Sequence, residues 1–394
     1  MLAWSVVRKG ILMSISAEEW LARGIWFSEL ERFDEALDAY EQGLQLDPEL
    51  LPGWVLKGNL LSELARYEEA LVAYDHALEL ESNEAELWLF KGDALGSLAR
   101  YDEALETSER ALRLDPTDPM AWQLKAATLA VLDRPEETLS AYERALALDP
   151  DESECWAGKG DALMQLDRPQ EALAAFGRAL TLDPEEVSAW EGKGEALNAL
   201  GRPEEALVAL DEALRLEPED SDAFIGKGEA LSDLERFEEA LDYFDRALRS
   251  EQPDVWAWIG KATVLSELER YQEALAAFGE AQTLEPDIED IWLGKALTLL
   301  KLNAFDESFA CVEHLLEFDT ADPSIWLLRG DICMERHDYN EALLSYNRAI
   351  ALDQEAVWAW VGKAACLEAL GRHAEAAKAE HRARQLGAVI HYGK

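Results

Sequence analysis

The sequence predicts an all-α solenoid of stacked helix–turn–helix units, and three observations carry the prediction. Trp20, Trp54, Trp88, Trp122, Trp156, Trp190, Phe224, Trp258, Trp292, Trp326 and Trp360 follow one another at a constant spacing of 34 residues. Within each interval the apolar residues recur at i, i+3, i+4 and i+7, the spacing of one helix face. Each interval is broken once by a turn signal and closed by another, so each holds two helices.

With the aromatic at position 4, the units begin at residues 17, 51, 85, 119, 153, 187, 221, 255, 289, 323 and 357. Eleven units then fill 17–390 without insertion or deletion, leaving an extension at 1–16 and a tail at 391–394. In the unit 187–220, Trp190, Gly194, Leu197 and Leu200 share one helix face, Gly201-Arg202-Pro203 makes the break, and Ala206, Leu207, Leu210, Ala213 and Leu214 form a second amphipathic run. Pro203, like Pro135 and Pro169, stands where a helix begins and a missing N–H costs little. Pro218 follows the second helix, as a terminator should. The last unit carries Ala377, Lys378, Glu380 and Arg384 at positions that are mostly apolar elsewhere, the polar outer face that a terminal helix needs.

The pattern resembles the tetratricopeptide repeat (TPR) family. The matching residues are the position 4 aromatics, small residues at position 8 (Gly24, Gly58, Gly92, Ala126, Gly160, Gly194), Leu or an aromatic at 11 (Phe27, Leu61, Leu95), Ala at 20 (Ala36, Ala70, Ala104), an aromatic at 24 (Tyr40, Tyr74, Tyr142, Phe176), Ala at 27 (Ala77, Ala111, Ala145) and Pro at 32 (Pro48, Pro116, Pro150, Pro184, Pro218, Pro286). The resemblance implies a right-handed superhelix whose first helices line a concave peptide-binding groove.

Composition excludes several classes. Lys plus Arg number 36 and Asp plus Glu 81, a formal charge of −45. A phosphate backbone needs clustered cations, and an anionic membrane surface would repel this chain, so neither nucleic acid nor membrane is an expected partner. At 49% hydrophobic residues the chain is too apolar for an acidic disordered protein. Arg8 and Lys9 interrupt the apolar start, which argues against a secretory signal and for a cytoplasmic location; Met13 is an alternative start.

Motifs that look chemical dissolve into the repeat. Gly158-Lys159-Gly160 recurs at 192–194 and 226–228, but it lies inside a helix and lacks the spacing of a phosphate loop. Cys155, Cys311, Cys333 and Cys366 form no Cys-x-x-Cys pair and read as small buried apolar groups. No metal, cofactor or catalytic constellation is expected, and the protein reads as a non-enzyme. Position 7 is Lys or Arg and position 19 is Glu in all eleven units, which suggests a Lys–Glu ladder between the two helices of each unit. Arg at position 16 reads as a cationic cap on the first helix.

Function must then lie on a surface. Positions 2, 5, 6, 9, 12 and 13 oppose the buried stripe of the first helix. They supply Asp161, Glu191, Glu195 and Glu229 in the middle of the chain. Five glycines in register at position 6, from Gly158 to Gly294, suggest that the middle of the groove must stay open. Apolar groups flank it: Leu21, Val55, Leu89 and Phe90 on one side, and Ile259, Leu293, Leu297 and Leu327 on the other. Trp256 and Trp358 add an aromatic at position 2, and rigid aromatics are favoured interface anchors. The expected function is a scaffold that binds a protein or peptide ligand, basic with apolar anchors, in the groove. Self-association through apolar ends and service as an acidic chaperone or decoy for basic proteins are the alternatives.

Overall fold

The computed structural model describes residues 15–250, 254–318 and 320–388. Residues 1–14, the segment of the alternative start, lie outside them, as does the tail. The described residues form 22 helices, α1 (Ala17–Glu29) and α2 (Phe33–Leu46) through to α21 (Val357–Ala369) and α22 (His373–Gln385). Odd-numbered helices are the first of a repeat and even-numbered helices the second. The chain divides into two compact units, residues 1–196 and 197–394. Within each, helices pack on their chain neighbours, as α1 does on α2 and α21 on α22, and several first helices also touch the first helix of the next repeat, as α5 (Ala85–Ser97) does α7 (Pro119–Val131).

The turn inside each repeat is made by one residue at position 15 with positive φ. It is glycine at Gly201 and Gly371, but Glu31, Ala65, Ala99, Asp133, Asp167, Glu235, Glu269, Asn303 and His337 adopt the same conformation. This left-handed residue ends the first helix. The next backbone N–H then turns back to close the helix, as Arg66 N–H does on the Leu61 carbonyl at 2.8 Å. The carbonyls of the first helix are therefore closed by the backbone of the position 16 arginine. Its guanidinium points forward to the position 19 glutamate instead: Arg66 meets Glu69 at 2.7 and 2.8 Å, and Arg202 meets Glu205 at 2.7 Å. The side-chain cap expected from the sequence is thus corrected.

In nine repeats this pairing takes the position 19 glutamate and overturns the expected ladder there. The expected pair forms in the repeat 323–356, where position 16 is Asp338 and Arg329 reaches Glu341. The position 7 lysine reaches back to position 25 of the preceding repeat. Lys57 pairs with Glu41 at 2.8 Å, Lys91 with Asp75 at 2.6 Å, Lys125 with Glu109 at 3.1 Å, Lys159 with Glu143 at 3.2 Å and Lys261 with Asp245 at 2.6 Å. Arg329 makes the same pair with Glu313 and extends to Glu341 at 3.5 Å. A ladder exists, but it ties successive repeats together. Where the repeat has a tryptophan, the lysine also sits beside its ring, Lys57 at 5.9 Å from Trp54 and Lys193 at 4.5 Å from Trp190, a cation–π arrangement; Lys227 lies over Tyr243 instead.

The position 4 tryptophans are half-buried, and their indole N–H groups bind across the repeat boundary. Trp54 donates to the Pro48 carbonyl at 2.9 Å, Trp190 to Pro184 at 3.0 Å and Trp360 to Gln354 at 3.1 Å. A Trp body with one satisfied polar group suits a seam that is apolar inside and wet at its edge.

The aromatic at position 24 is the deepest wedge. Phe176, Phe244, Phe278 and Tyr346 are fully buried. The Phe176 ring lies between Gly160 of its own repeat and Gly192 of the next, and a Cβ on either glycine would meet the ring at under 3.0 Å. Phe244 lies likewise between Gly228 and Gly260, and Tyr346 between Gly330 and Gly362. The position 6 glycines Gly158, Gly192, Gly260, Gly294 and Gly362 therefore make room for an aromatic ring of the preceding repeat, while Gly226 seats Leu210. Neither an open groove nor first-helix contact, the two readings available from sequence, explains them. Where position 24 is small the following residue grows: Ser108 is followed by Leu124, and Val312 by Leu328.

Candidate functional site

In the first unit the acidic first-helix residues converge on a cleft of about 480 Å³ between α9 (Ser153–Gln165) and α11 (Val187–Ala199). Asp161 and Glu154 come from α9, while Asp183 and Glu186 come from the loop that leads into α11. Tyr142 of the preceding repeat lies against Gly158 and forms part of the floor.

The electrostatics of the cleft are unbalanced. Burial, then the charges of Glu195 and Glu186, push Asp161 up to about 6. Asp161 opens onto the cleft, but its concave walls remove enough water to disfavour the ionised form. Burial also raises Glu186, with Glu154 and Asp183 adding repulsion, while hydrogen bonds with Ser153 and Ser188 oppose the rise. One carboxylate oxygen of Glu186, Oε2, is closed from solvent and has no hydrogen-bond partner. Cys155, at the edge of this cluster, is buried, and burial followed by the surrounding carboxylates pushes its thiol up to about 12, as expected of an unreactive thiol.

The other candidates separate by exposure. Glu191 is half-buried and Glu195 exposed on α11; Glu229 is exposed on the first helix of its own repeat, α13 (Ser221–Asp233). In the second unit Trp256 is 47% exposed and Trp358 70% exposed. Asp254 accepts from the Trp256 backbone N–H at 2.6 Å and so caps α15 (Val255–Glu267). Leu297 is also exposed. Ile259, by contrast, is buried in a core cluster with Val255, Leu265 and Phe278. Leu293 and Leu327 are half-buried against neighbouring core clusters. The structure thus leaves Trp256, Trp358 and Leu297 accessible and gives Ile259 to the packing. The cleft residues Glu154, Asp183, Glu186 and Ser188 were missed by sequence reasoning. The signal for two of them was the acidic residues in the loop after Leu182, which the period assigns to a turn.

Among the described residues no group of three or more His, Cys, Asp and Glu side chains is arranged to hold a metal ion. No helix among them is long and apolar enough to cross a membrane.

Tetratricopeptide repeat families match residues 17–50, 61–128, 124–179, 157–213, 199–255, 265–332 and 327–388. The chain belongs to the tetratricopeptide repeat family. No match was found among curated proteins. Among solved structures, the tetratricopeptide repeats align with the anaphase-promoting-complex hetero-tetramer Cut9–Hcn1 at a TM-score of 0.58 and 18% identity, over 89% of this chain and 76% of that one. YrrB, described as a TPR protein with an unusual peptide-binding site, aligns at 0.42 and 27% identity over 48% of this chain and 98% of its own. MamA aligns at 0.38 and 22% identity over 42% of this chain and 90% of its own.

Proposed function

We propose that the protein is a non-enzymatic interaction scaffold whose first-helix face binds a basic peptide or protein segment. The observation that carries this reading is the cleft around Asp161, where a carboxylate held near 6 stands beside a closed-off Glu186 oxygen that lacks a partner. A lysine or arginine side chain entering the cleft would pair with Asp161 and relieve the repulsion among these carboxylates. Asp161, Glu191 and Glu195 form the acidic face of the first unit; in the second unit Glu229 is an exposed acid on its own first helix. The accessible Trp256, Trp358 and Leu297 serve as apolar anchors, with Leu293 and Leu327 beside them. The family supports a protein ligand, and the charge of −45 speeds encounter with a basic one.

The test is fluorescence anisotropy with a labelled twelve-residue peptide of Lys and Leu. The wild type is compared with Asp161→Asn/Glu186→Gln and with a control, Glu136→Gln/Glu204→Gln, that removes the same charge from exposed second-helix positions. Loss of about tenfold in affinity in the cleft variant, with the control unchanged, supports the reading. Equal loss in both would reduce it to non-specific charge attraction and overturn the site.

A further inference from the structure

The ladder between repeats lacks its carboxylate at three rungs. Position 25 is Gly177, Gly279 and Asn347 opposite Lys193, Lys295 and Lys363. At the second of these Lys295 finds the Gln282 side chain at 2.7 Å. At the third a cavity of about 460 Å³ opens between α20 (Tyr339–Leu352), α21 and α22. Asn347, Lys363, Lys378 and Arg382 line it, over an apolar floor that includes Leu343 and Trp360. Arg372 and Glu375 also border it, but they neutralise each other in a two-pronged pair at 2.7 and 2.9 Å. Among the described residues no carboxylate lies within ion-pair distance of Lys363, Lys378 or Arg382. Burial holds Lys363 below the ordinary lysine range, and the Arg372 charge adds to that depression while Glu375 opposes it.

The composition of this repeat is as unusual as its geometry. Residues 357–390 contain five Lys and Arg against three Glu, whereas in every other repeat the acids outnumber the bases. The lining residues come from positions 21 and 25 of one repeat and positions 4, 7, 11, 16, 19, 22, 23 and 26 of the next, so the cavity is separate from the first-helix face discussed above.

We propose that this cavity binds an acidic peptide segment, whose carboxylate takes the place left empty at Asn347 and whose apolar side chain rests on Leu343 and Trp360. A carboxylate is the group that the other rungs place beside this lysine. The apolar floor and the volume suit a peptide better than a bare inorganic anion, and unpaired cations over an apolar surface favour a ligand that offers both chemistries.

The experiment uses the full chain and a fluorescein-labelled hexapeptide of Glu and Leu. Asn347→Asp places the missing carboxylate on the protein itself, so it should weaken the peptide by about tenfold while leaving the melting temperature equal or higher. Lys378→Glu/Arg382→Glu, both on the cavity wall, should abolish binding with unchanged helical circular dichroism. Absence of binding by the wild type at millimolar peptide, or unchanged affinity in Asn347→Asp, would overturn the proposal. Displacement of the peptide by an equal concentration of inorganic phosphate would overturn it in favour of a simple anion site. Sedimentation showing a wild-type dimer that Asn347→Asp dissolves would overturn it in favour of a second copy of the chain.

Discussion

The ring of Phe176 occupies the volume that a side chain on Gly192 would need. Gly192→Ala should therefore destabilise the protein: overpacking costs about 1–3 kcal/mol, against a helix-propensity gain of up to about 1 kcal/mol. Gly177 is the internal control, because nothing lies within 4 Å of a Cβ placed there. Gly177→Ala should stabilise by up to about 1 kcal/mol. Urea unfolding of the three proteins checks the opposite signs.

Lys227 is the most buried rung of the ladder, 7% exposed. It donates to Asp211 at 2.5 Å and to the Tyr243 hydroxyl at 2.9 Å. Burial works to lower its pKa, and these two bonds more than offset that, leaving it raised. Asp211→Asn should cost about 1–3 kcal/mol, the range for weakening a bond to a buried charged group. Asp75→Asn, on the more open rung with Lys91, should cost under about 1 kcal/mol. Because the folded pKa of Lys227 lies above its unfolded value, its contribution is complete at neutral pH. It is lost only as pH rises through that folded value, so the Asp211→Asn difference should stay constant between about pH 6 and 9.

Asp161 gives the opposite pH signature. Its folded pKa of about 6 exceeds the unfolded value near 3.9, so the native state holds a proton that the unfolded chain releases. The wild type should gain stability from this group as pH falls from about 7 to 4. Asp161→Asn should be the more stable protein above about pH 7 and indistinguishable near pH 4. Melting curves across that range measure the difference. In the same window, binding of the Lys–Leu peptide should release protons.

Trp256 and Trp358 separate stability from recognition. Both are exposed, so Trp256→Ala and Trp358→Ala should each shift unfolding by no more than about 0.5–1 kcal/mol. As anchors they should each cost the basic peptide about five- to tenfold in affinity. Anisotropy and thermal melts on the same samples test the pair of expectations.

Much of the fold was legible because one 34-residue period repeats every decision, and helix, turn and core positions follow from apolar spacing alone. Partners across the seam were harder to read. Position 7 and position 19 residues have complementary charges in every repeat, yet Arg66 lies three residues from Glu69 and takes it first. Periodicity shows which positions carry charge but not which of two nearby cations wins. The position 6 glycines were misread for a related reason. Their neighbour is Phe176 or Tyr346 of the repeat before, and the period aligns equivalent residues without showing the offset contact. Exposed acids such as Asp161 and Glu195 were visible on the first-helix face. Glu186 was not, because it reaches the cleft from a turn.

The aromatic wedge and its glycine seat make the repeats into parts with matched ends. Ser108 is followed by Leu124 and Phe176 by Gly192, joints that are small-to-large and large-to-small, while Tyr74 stacks on Phe90 in a third, large-on-large kind. A deletion that removes 153–186 would bring Tyr142 against Gly192, a joint of the native kind that Tyr142 makes with Gly158. A deletion of 119–152 would set Ser108 against Gly158 and leave an unfilled gap. The chain can be shortened by whole repeats, but only at cuts where the two faces still mate.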